Sequence, residues 1–368
     1  MQTSWHATDN EAFPLVLPSH PELAAAGAWT AHGHSYTIDD MKFIVSEARR
    51  RAIRVLIEMD TPGHVGGFCR SYDTCVPAGY TGMGCLLDPS NPLTWTLLND
   101  TFSDLMDLFP DEQLMIGGDE VTASVWMRES KVLIWETEHN IGNPDQIGAY
   151  FARWLANLLG SRGRRAVAWA PGVTADQDAI ALNMTYNIDD GWSHYGPTDP
   201  QGQITWQGHL AAYTKLGLDV ILSAPWYLTK TDGRGKCEVN GTTGSARCPV
   251  TSNWAKFYAV DPRNFTGDDA QKERVLGGEC TAWNDNTHLD ASTLLSALFP
   301  VCSGMAEQLW STRDLTSQGA TKETYDRLVQ HRCALVARGI PAAVPANGAG
   351  VGWAGDVGYC PVEMSGTS

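Results

Sequence analysis

The sequence lacks the features that mark several classes of protein. Its longest apolar runs fall far short of the ~18 residues that a membrane-spanning helix needs. No segment is low in complexity, which excludes fibrous and disordered classes. Basic residues are few, since 26 Lys and Arg stand against 42 Asp and Glu, giving a formal net charge of −16. Because so acidic a chain repels phosphate backbones, we expect no nucleic-acid partner.

No Cys-x-x-Cys pair occurs among the nine cysteines, so neither a zinc site nor a thioredoxin-type site is signalled. Cys237 and Cys248 bracket a loop rich in Gly, Thr and Ser, while Cys333 and Cys360 bracket the C-terminal tail. Both pairs are disulfide candidates, and free buried thiols are the alternative. The odd number of cysteines leaves at least one without a partner inside a monomer.

Metal-ligand spacing is also missing. The ten histidines are scattered, and His32-Gly33-His34 lies in a predicted loop with no third ligand nearby. We therefore predict no metal and no cofactor.

The start of the chain carries no sign of a secretory leader. Met1-Gln2-Thr3-Ser4 has neither a basic segment nor an apolar one, so the protein is cytoplasmic or this N-terminus is not the natural one. Glycosylation sequons favour the secretory route, and they occur at Asn99, Asn183, Asn240 and Asn264.

Short apolar runs alternate with amphipathic stretches along the 368 residues. The predicted strands lie within 54–64, 113–120, 165–172, 182–189, 219–227 and 275–283. The predicted helices lie at 37–51, 94–108, 145–160, 204–216, 291–302 and 321–337. Such alternation predicts a parallel sheet covered by helices. Because polar residues gather where the strands end, we expect an α/β fold of the (β/α)8 TIM-barrel class, with its site at that face.

The sharpest motif is Gly117-Gly118-Asp119-Glu120, which follows an apolar strand. Two adjacent carboxylates repel each other, so at least one should have a perturbed pKa, as a general acid needs. The glycines let a ligand approach the backbone. A solvated Asp-Glu pair on the surface is the alternative.

The segment LMIGGDEV at 114–121 resembles the signature of family 20 glycoside hydrolases, the β-N-acetylhexosaminidases. Further similar segments follow in order and spacing from about residue 4 to residue 361. They are WHATDNEAFPLVLPSHPEL (5–23), RRAIRVLIEMDTPGH (50–64), ILSAPWYL (221–228), LGGECTAW (276–283), GMAEQLWS (304–311), YDRLVQHRCALVARGI (325–340) and GYC (358–360).

The resemblance implies a retaining reaction in which the 2-acetamido oxygen of the substrate is the nucleophile, an exception to the two-carboxylate scheme. Glu120 would protonate the leaving oxygen and later activate water. Asp119 would orient the acetamido N–H and stabilise the developing positive charge. Tyr227 would donate a hydrogen bond to the acetamido carbonyl oxygen. Trp169 and Trp283 would form two walls of an apolar cage around the acetamide methyl group. Core packing is the alternative for each tryptophan.

Other positions match by resemblance alone. His64 corresponds to the histidine that supports the acid, although a buried structural histidine is the alternative. Asp9 corresponds to a carboxylate near the sugar hydroxyls. Asp285 stands where the family usually has Glu, and would bind a ring hydroxyl of the sugar. Thr229 stands where relatives have an Asp or Asn that recognises the substituent at the 6-position of the sugar.

The sequence departs from the family in several places. By the resemblance, we expect the family arginine that clamps the sugar hydroxyls to belong to a strand that precedes the sequence given, together with the small α/β domain that normally comes before the barrel. Trp169 is followed by Ala170-Pro171, and the third cage tryptophan is replaced by Tyr186-Asn187-Ile188, with Trp192 as a substitute. Asn10 stands where an acidic residue is frequent.

We therefore expect a barrel domain over residues 1–340, incomplete at its N-terminus, and a C-terminal tail over 341–368 held by a disulfide. The expected substrate is a terminal N-acetylglucosamine or N-acetylgalactosamine of a glycan or chito-oligosaccharide. The expected location of the full-length form is lysosomal or extracellular, with a homodimer as its assembly. An inactive paralogue or sugar-binding fragment is the second hypothesis, and a glycosidase with a carboxylate nucleophile is the third.

Overall fold

The computed structural model describes residues 1–29, 34–77, 84–170, 182–188, 205–228, 237–239, 242–244, 254–283, 293–345 and 360. The chain divides into two compact units, Met1–Val220 and Ile221–Ser368. The expected domain boundary at residue 340 stays a prediction.

A parallel sheet forms the centre of the first unit. The strands of this unit are β1 (Gln2–Thr8), β2 (Arg54–Met59), β3 (Cys75–Pro77), β4 (Cys85–Leu87), β5 (Gln113–Met115), β6 (Arg165–Ala170) and β7 (Thr185–Ile188). Five of them lie side by side in the order β1-β2-β5-β6-β7, and every pairing described among them is parallel. The remaining two, β3 and β4, form a separate antiparallel hairpin.

Helices connect these strands, as parallel pairing requires. They are α1 (Pro21–Gly27), α2 (Ile38–Arg50), α3 (Gly66–Cys69), α4 (Pro92–Leu108), α5 (Ser130–Glu138), α6 (Ile147–Ser161) and α7 (Trp206–Lys215). Every residue of β2 after Arg54 is buried. Such a strand is typical of a sheet covered on both faces.

The start of α2 illustrates how the sequence sets an element boundary. The hydroxyl of Thr37 accepts a hydrogen bond from the backbone N–H of Asp40 at 3.1 Å, and the Asp40 carboxylate accepts one from the Thr37 N–H at 2.8 Å. This capping box satisfies donors that the first turn leaves open. Arg49 and Arg50 in the last turn oppose the negative end of the helix dipole.

The second unit contains β9 (Cys237–Val239), β10 (Thr242–Gly244) and β11 (Val275–Gly278), and β8 (Asp219–Leu222) crosses the division. Its helices are α8 (Trp254–Tyr258), α9 (Asp269–Glu273), α10 (Leu294–Leu298), α11 (Val301–Trp310), α12 (Arg313–Thr316) and α13 (Lys322–Ala337). A cluster of buried side chains joins α8 to α13 through Trp254, Tyr258, Tyr325 and Leu328. Short 3-10 turns occur in the first unit at Trp126–Arg128 and Pro144–Gln146, and in the second at Ala224–Trp226.

The predicted helix at 291–302 is wrong as a single element. The structure has α10 up to Leu298 and a new helix from Val301. Pro300 lies between them, and proline removes a helical donor and disfavours helical backbone at the residue before it. The segment 304–311, quoted for its resemblance alone, belongs to the second of these helices.

Each of the two units contains disulfides within itself. The predicted pair Cys333–Cys360 is bonded, with an S–S distance of 2.22 Å. The structure also pairs Cys69 with Cys75 and Cys280 with Cys302, which the sequence analysis did not single out. Among the described cysteines, Cys85 is free. Cys248 lies outside the described residues, so the proposed Cys237–Cys248 pair stays a prediction.

Three predicted glycosylation positions, Asn99, Asn183 and Asn264, are exposed, and Asn240 lies outside the described residues. Within the described ranges, none of the helices combines the length and the apolar character needed to cross a bilayer.

Candidate active site

Charged side chains collect in the first unit where the parallel strands end. Asp9 follows β1, Asp60 and His64 follow β2, and Asp119 and Glu120 follow β5. Because parallel strands end at one edge of their sheet, the sequence brings these groups to the same place.

Gly117 allows two of these loops to approach each other. Its φ is +72°, in the left-handed region, and a Cβ there would lie 1.7 Å from Oδ1 of Asp60. The next N–H, of Gly118, donates to that same oxygen at 3.0 Å. Glycine is therefore needed here for close approach of a carboxylate to the backbone, in addition to any approach of a ligand.

His64 lies among three other predicted site residues. Its Nδ1 is 3.0 Å from Oδ1 of Asp9, and its Nε2 is 3.3 Å from Oε2 of Glu120 and 3.9 Å from Oδ2 of Asp119. The structure thus brings together four residues that the sequence analysis chose.

Backbone conformation also marks this place. His64 and Glu120 adopt φ values of +53° and +51°, which side-chain-bearing residues rarely take. Such conformations cost about 1–3 kcal/mol each and cluster at functional sites.

The charges around His64 stabilise one another. Burial lowers the pKa of His64, but hydrogen bonds to Asp9 and Glu120 outweigh this and raise the pKa to about 12. Burial raises the pKa of Asp9, yet hydrogen bonds from His6 and His64 hold that pKa well below its usual range. His64 is therefore an imidazolium and Asp9 a carboxylate across the neutral range.

Asp119 and Asp60 form a second, acidic pair with oxygens within 4.8 Å. Burial and the charge of Asp119 raise the pKa of Asp60 well above its usual range. Burial also raises the pKa of Asp119, to about 6, although the charge of His64 and the hydrogen bond to Asp60 oppose it. The side chain of Asp119 keeps 24% of its surface open to solvent. It is thus a carboxylate near neutral pH and a neutral acid below pH 6.

The sequence analysis missed two residues that complete this arrangement. The Trp169 indole N–H donates to Oε1 of Glu58 at 2.7 Å, and the same oxygen lies 3.1 Å from Nδ1 of His6. His6 in turn lies 3.0 Å from Oδ2 of Asp9 through its Nε2. The signal for Glu58 was present, since it is one carboxylate inside an otherwise apolar buried strand.

Asn10 also touches the site. Its side-chain nitrogen is 3.5 Å from Nδ1 of His64, and its side-chain oxygen accepts from the N–H of Gly66 at 3.2 Å. An amide thus takes the place where an acidic residue was expected, and it ties the start of α3 to the loop after β1.

Of the other positions that the sequence analysis placed near the sugar, some are buried in the core and the rest lie outside the described residues. Tyr186 is buried and packs against Tyr213, with ring centroids 4.9 Å apart. Asn187 and Ile188 are buried as well. Trp192, Thr229 and Asp285 lie outside the described residues.

Tyr227 and Trp283 lie together in the second unit. Their ring centroids are 6.4 Å apart and their planes meet at 39°. Tyr227 forms a parallel bridge with Thr281, and Leu228 N–H donates to the carbonyl of Thr281 at 2.9 Å. This pairing places the phenol and the indole on adjacent extended segments.

Three groups of potential metal ligands occur among the described residues. They are Cys69/Cys75/Cys85, His6/Glu58/Asp60 and Asp60/His64/Asp119. The first contains a disulfide. The histidines of the other two are held protonated by carboxylates, and a ligating histidine must be neutral. We assign no metal to them, and the expectation of no cofactor stays a prediction.

Comparison with known proteins agrees with the resemblance. The profile of "Glycosyl hydrolase family 20, catalytic domain" matches residues 2–313. Human "Beta-hexosaminidase subunit beta" is 28% identical over 344 residues, which cover 92% of this chain and 55% of that protein. Rat "Beta-hexosaminidase subunit alpha" is 28% identical over 368 residues, covering 99% and 62%. The chain thus spans between half and two thirds of these relatives.

Solved structures share the fold. A chitobiase of Flavobacterium johnsoniae superimposes with a TM-score of 0.74 at 24% identity, covering 92% of this chain and 47% of that one. An exo-β-N-acetylglucosaminidase of Vibrio harveyi, solved with N-acetylglucosamine, gives 0.73 at 20% identity, covering 94% and 54%. This likeness confirms the predicted α/β barrel class. With a family profile matching most of its length, the chain belongs to glycosyl hydrolase family 20.

Proposed function

We propose that this chain is the catalytic part of a retaining exo-β-N-acetylhexosaminidase that releases terminal N-acetylglucosamine or N-acetylgalactosamine. The observation that carries the proposal is His64, which contacts Asp9, Asp119 and Glu120 at the ends of three strands. It joins a candidate acid to a candidate acetamide-orienting carboxylate in one site. Family membership supports the same reading.

Glu120 is the proposed general acid and base. The positively charged imidazolium of His64 lies 3.3 Å from Oε2 of Glu120, where the leaving oxygen's departure with a proton leaves a carboxylate. In the second half of the reaction, the same carboxylate accepts a proton from water. His64 therefore stabilises the state that must persist between the two steps.

Asp119 is the proposed partner of the acetamido group. As a carboxylate it accepts the acetamido N–H and stabilises the positive charge of an oxazolinium intermediate. A side-chain hydrogen bond with Asp60 fixes its orientation. Because the nucleophile comes from the substrate, the proposal needs neither a carboxylate nucleophile nor a cofactor.

Aromatic side chains are the proposed walls for the acetamide methyl group. Trp169 is buried with its N–H anchored on Glu58, which fixes the indole plane. Tyr227 offers a phenol donor for the acetamide oxygen, and Trp283 lies beside it. Holding the acetamide in attack geometry replaces an intermolecular encounter with an intramolecular one. Thr229 and Asp285 remain proposed contacts for other sugar hydroxyls, and Asp9 remains a proposed carboxylate near the sugar hydroxyls.

The surroundings of the reaction are proposals as well. Disulfides such as Cys333–Cys360 favour an oxidising compartment, so we propose a lysosomal or extracellular location for the full-length protein. Glycans and chito-oligosaccharides are the proposed substrates, and a homodimer is the proposed assembly.

The test compares two chromogenic substrates, an N-acetyl-β-glucosaminide and the matching β-glucoside. The proposal predicts hydrolysis of the first alone, since the glucoside has no internal nucleophile. Equal hydrolysis of both would contradict it and favour a carboxylate nucleophile.

A binding measurement separates the second hypothesis. Calorimetry with a thiazoline analogue of the bicyclic intermediate reports on the site without turnover. Tight binding of the analogue with hydrolysis supports the enzyme. Binding of N-acetylglucosamine and of the analogue with equal affinity, and no hydrolysis, supports the sugar-binding paralogue.

A further inference from the structure

An unbroken series of polar contacts runs through the first unit from an aromatic side chain to the acid. We call it the polar chain, and its members in order are Trp169, Glu58, His6, Asp9, His64 and Glu120. Successive contacts measure 2.7, 3.1, 3.0, 3.0 and 3.3 Å. It therefore connects the indole of Trp169 to the carboxylate of Glu120.

We propose that Glu58 is a positioning residue that holds the Trp169 indole directly and holds Glu120 in place through His6, Asp9 and His64. The proposal rests on the function proposed above and deepens it. Glu58 does not contact the substrate in this role, because its side chain is buried and only 1% exposed. It acts on the reaction only through the groups it touches.

The register of the sheet creates the first half of the polar chain. His6 of β1 and Glu58 of β2 are direct partners in the parallel pairing. Paired residues point to the same face of a sheet. The imidazole and the carboxylate therefore meet without any special loop geometry.

Charge alternates along the polar chain, which explains how a buried carboxylate is tolerated. Glu58 carries negative charge, His6 positive, Asp9 negative and His64 positive. Burying an ion is costly unless it is paired and hydrogen-bonded. Each ion here has an opposite charge on either side or a donor such as the Trp169 N–H.

Three carboxylates face His6 from the elements packed against it. They are Glu58 and Asp60 from the strand β2 and its end, and Asp9 from the loop after β1. Burial lowers the pKa of His6, but Glu58 and Asp9 outweigh it and raise the pKa well above its usual range. Glu58 is the largest of these favourable influences.

Glu58→Gln is the informative substitution. Glutamine keeps an oxygen that accepts from the Trp169 N–H, but it removes the charge that keeps His6 protonated. The pKa of His6 therefore falls, and His6 loses its proton as the pH rises through the lowered value. Its ion pair with Asp9 is then lost on the alkaline side, while the native chain and Glu58→Gln both retain it in acid.

The first measurement needs no turnover. Imidazole nitrogen NMR of histidine-labelled protein, with His6 assigned through a His6→Asn variant, follows protonation between pH 5 and 9. The proposal predicts that His6 stays protonated across this range in the native chain and titrates within it in Glu58→Gln. An unchanged His6 signal in the variant overturns the proposal, whether or not the chain hydrolyses any substrate.

The second measurement is the pH profile of kcat and KM on the N-acetylglucosaminide. The kcat of Glu58→Gln is expected to match the native kcat within about threefold at pH 5 and to be lower by roughly tenfold or more at pH 8. This loss is a part of the rate enhancement that general acid–base catalysis contributes. KM should change little, since substrate contacts remain. A loss of equal size at every pH indicates a structural role and contradicts the proposal.

Glu136→Gln is the matched control, because Glu136 is also a buried carboxylate but lies on α5. It should leave the shape of the profile unchanged. Should Glu58→Gln fail to fold, His6→Asn carries the test, because it breaks the polar chain while leaving the Glu58–Trp169 bond. It should lower kcat roughly tenfold or more with little change in KM, and an unaltered kcat would overturn the proposal.

Discussion

At the scale of single residues, Asp119 is the carboxyl group of the site whose protonation state changes near pH 6. Its pKa of about 6 lies between that of His64 and the usual range of carboxyl groups. His64 keeps its proton well beyond neutrality, since its pKa is about 12. The acidic side of the pH profile therefore reports on Asp119.

We expect kcat to fall below about pH 6, because protonated Asp119 no longer stabilises positive charge on the acetamido group. The sign follows from a raised carboxyl pKa, which leaves the active carboxylate only above that value. A pH–rate series on the native chain and on Asp119→Asn checks this. The limb near pH 6 should be missing from the residual rate of the variant, and its persistence there would assign the limb to another group.

Glu120→Gln should slow the hydrolysis of substrates with poor leaving groups by roughly 10²–10⁴-fold, because they depend on proton donation. Affinity for the thiazoline analogue should stay within a few-fold of the native value. Steady-state kinetics with a series of aryl leaving groups measures the effect. Glu138→Gln, an exposed carboxylate on α5, serves as control. Unaltered turnover of a poor leaving group would remove Glu120 from the acid role.

At the scale of elements, the candidate site depends on the two loops after β2 and β5. Gly117 is the position where they come closest, since any side chain there would overlap the Asp60 carboxylate. The chemistry of the site and the packing of these loops therefore share one residue.

Gly117→Ala is expected to lower the free energy of unfolding by more than Gly163→Ala. Both glycines have φ near +70°, so both variants bear a backbone cost of about 1–2 kcal/mol. A Cβ at Gly163 meets nothing within 4 Å, whereas at Gly117 it overlaps Asp60. Chemical denaturation of the two variants measures the difference. Equal losses would mean that the approach of Asp60 to the backbone contributes nothing.

The ends of helices could be predicted from the sequence where a local capping interaction fixes them. The helix predicted at 37–51 appears as Ile38–Arg50 because Thr37 and Asp40 cap it. The helix predicted at 291–302 failed because the apolar pattern continues through Pro300, where the backbone cannot. Periodicity alone did not separate two short helices joined at a proline.

The candidate site shows a similar division. Asp119, Glu120 and His64 were found because each follows a strand and stands in a distinctive local motif. Glu58 and His6 were missed because their roles arise from pairing between strands far apart in sequence, at the register that joins them. No local sequence pattern predicts which residue of β1 pairs with which residue of β2.

At the scale of the whole molecule, fold class was predictable from strand–helix alternation, but covalent links were predicted only in part. Cys333 and Cys360 bracket a tail and are bonded, whereas Cys280–Cys302 joins the segment after β11 to α11 over a sequence separation of 22 residues. Spacing does not reveal which cysteines approach each other in a folded chain.

Cys333→Ser is expected to lower the free energy of unfolding by about 3–4 kcal/mol, since the disulfide closes a loop of 27 residues. Denaturation under non-reducing conditions measures this. Cys85→Ser is the control, because that thiol is free. If both variants unfold alike, the Cys333–Cys360 bond does not stabilise the chain.

The central claim, that the acetamido oxygen of the substrate attacks its own anomeric carbon, has a direct kinetic test. Replacing the N-acetyl group of the chromogenic substrate by mono-, di- and trifluoroacetyl weakens that oxygen as a nucleophile without changing the leaving group. The account predicts that kcat/KM falls steeply with each added fluorine. A rate independent of fluorine content would contradict it.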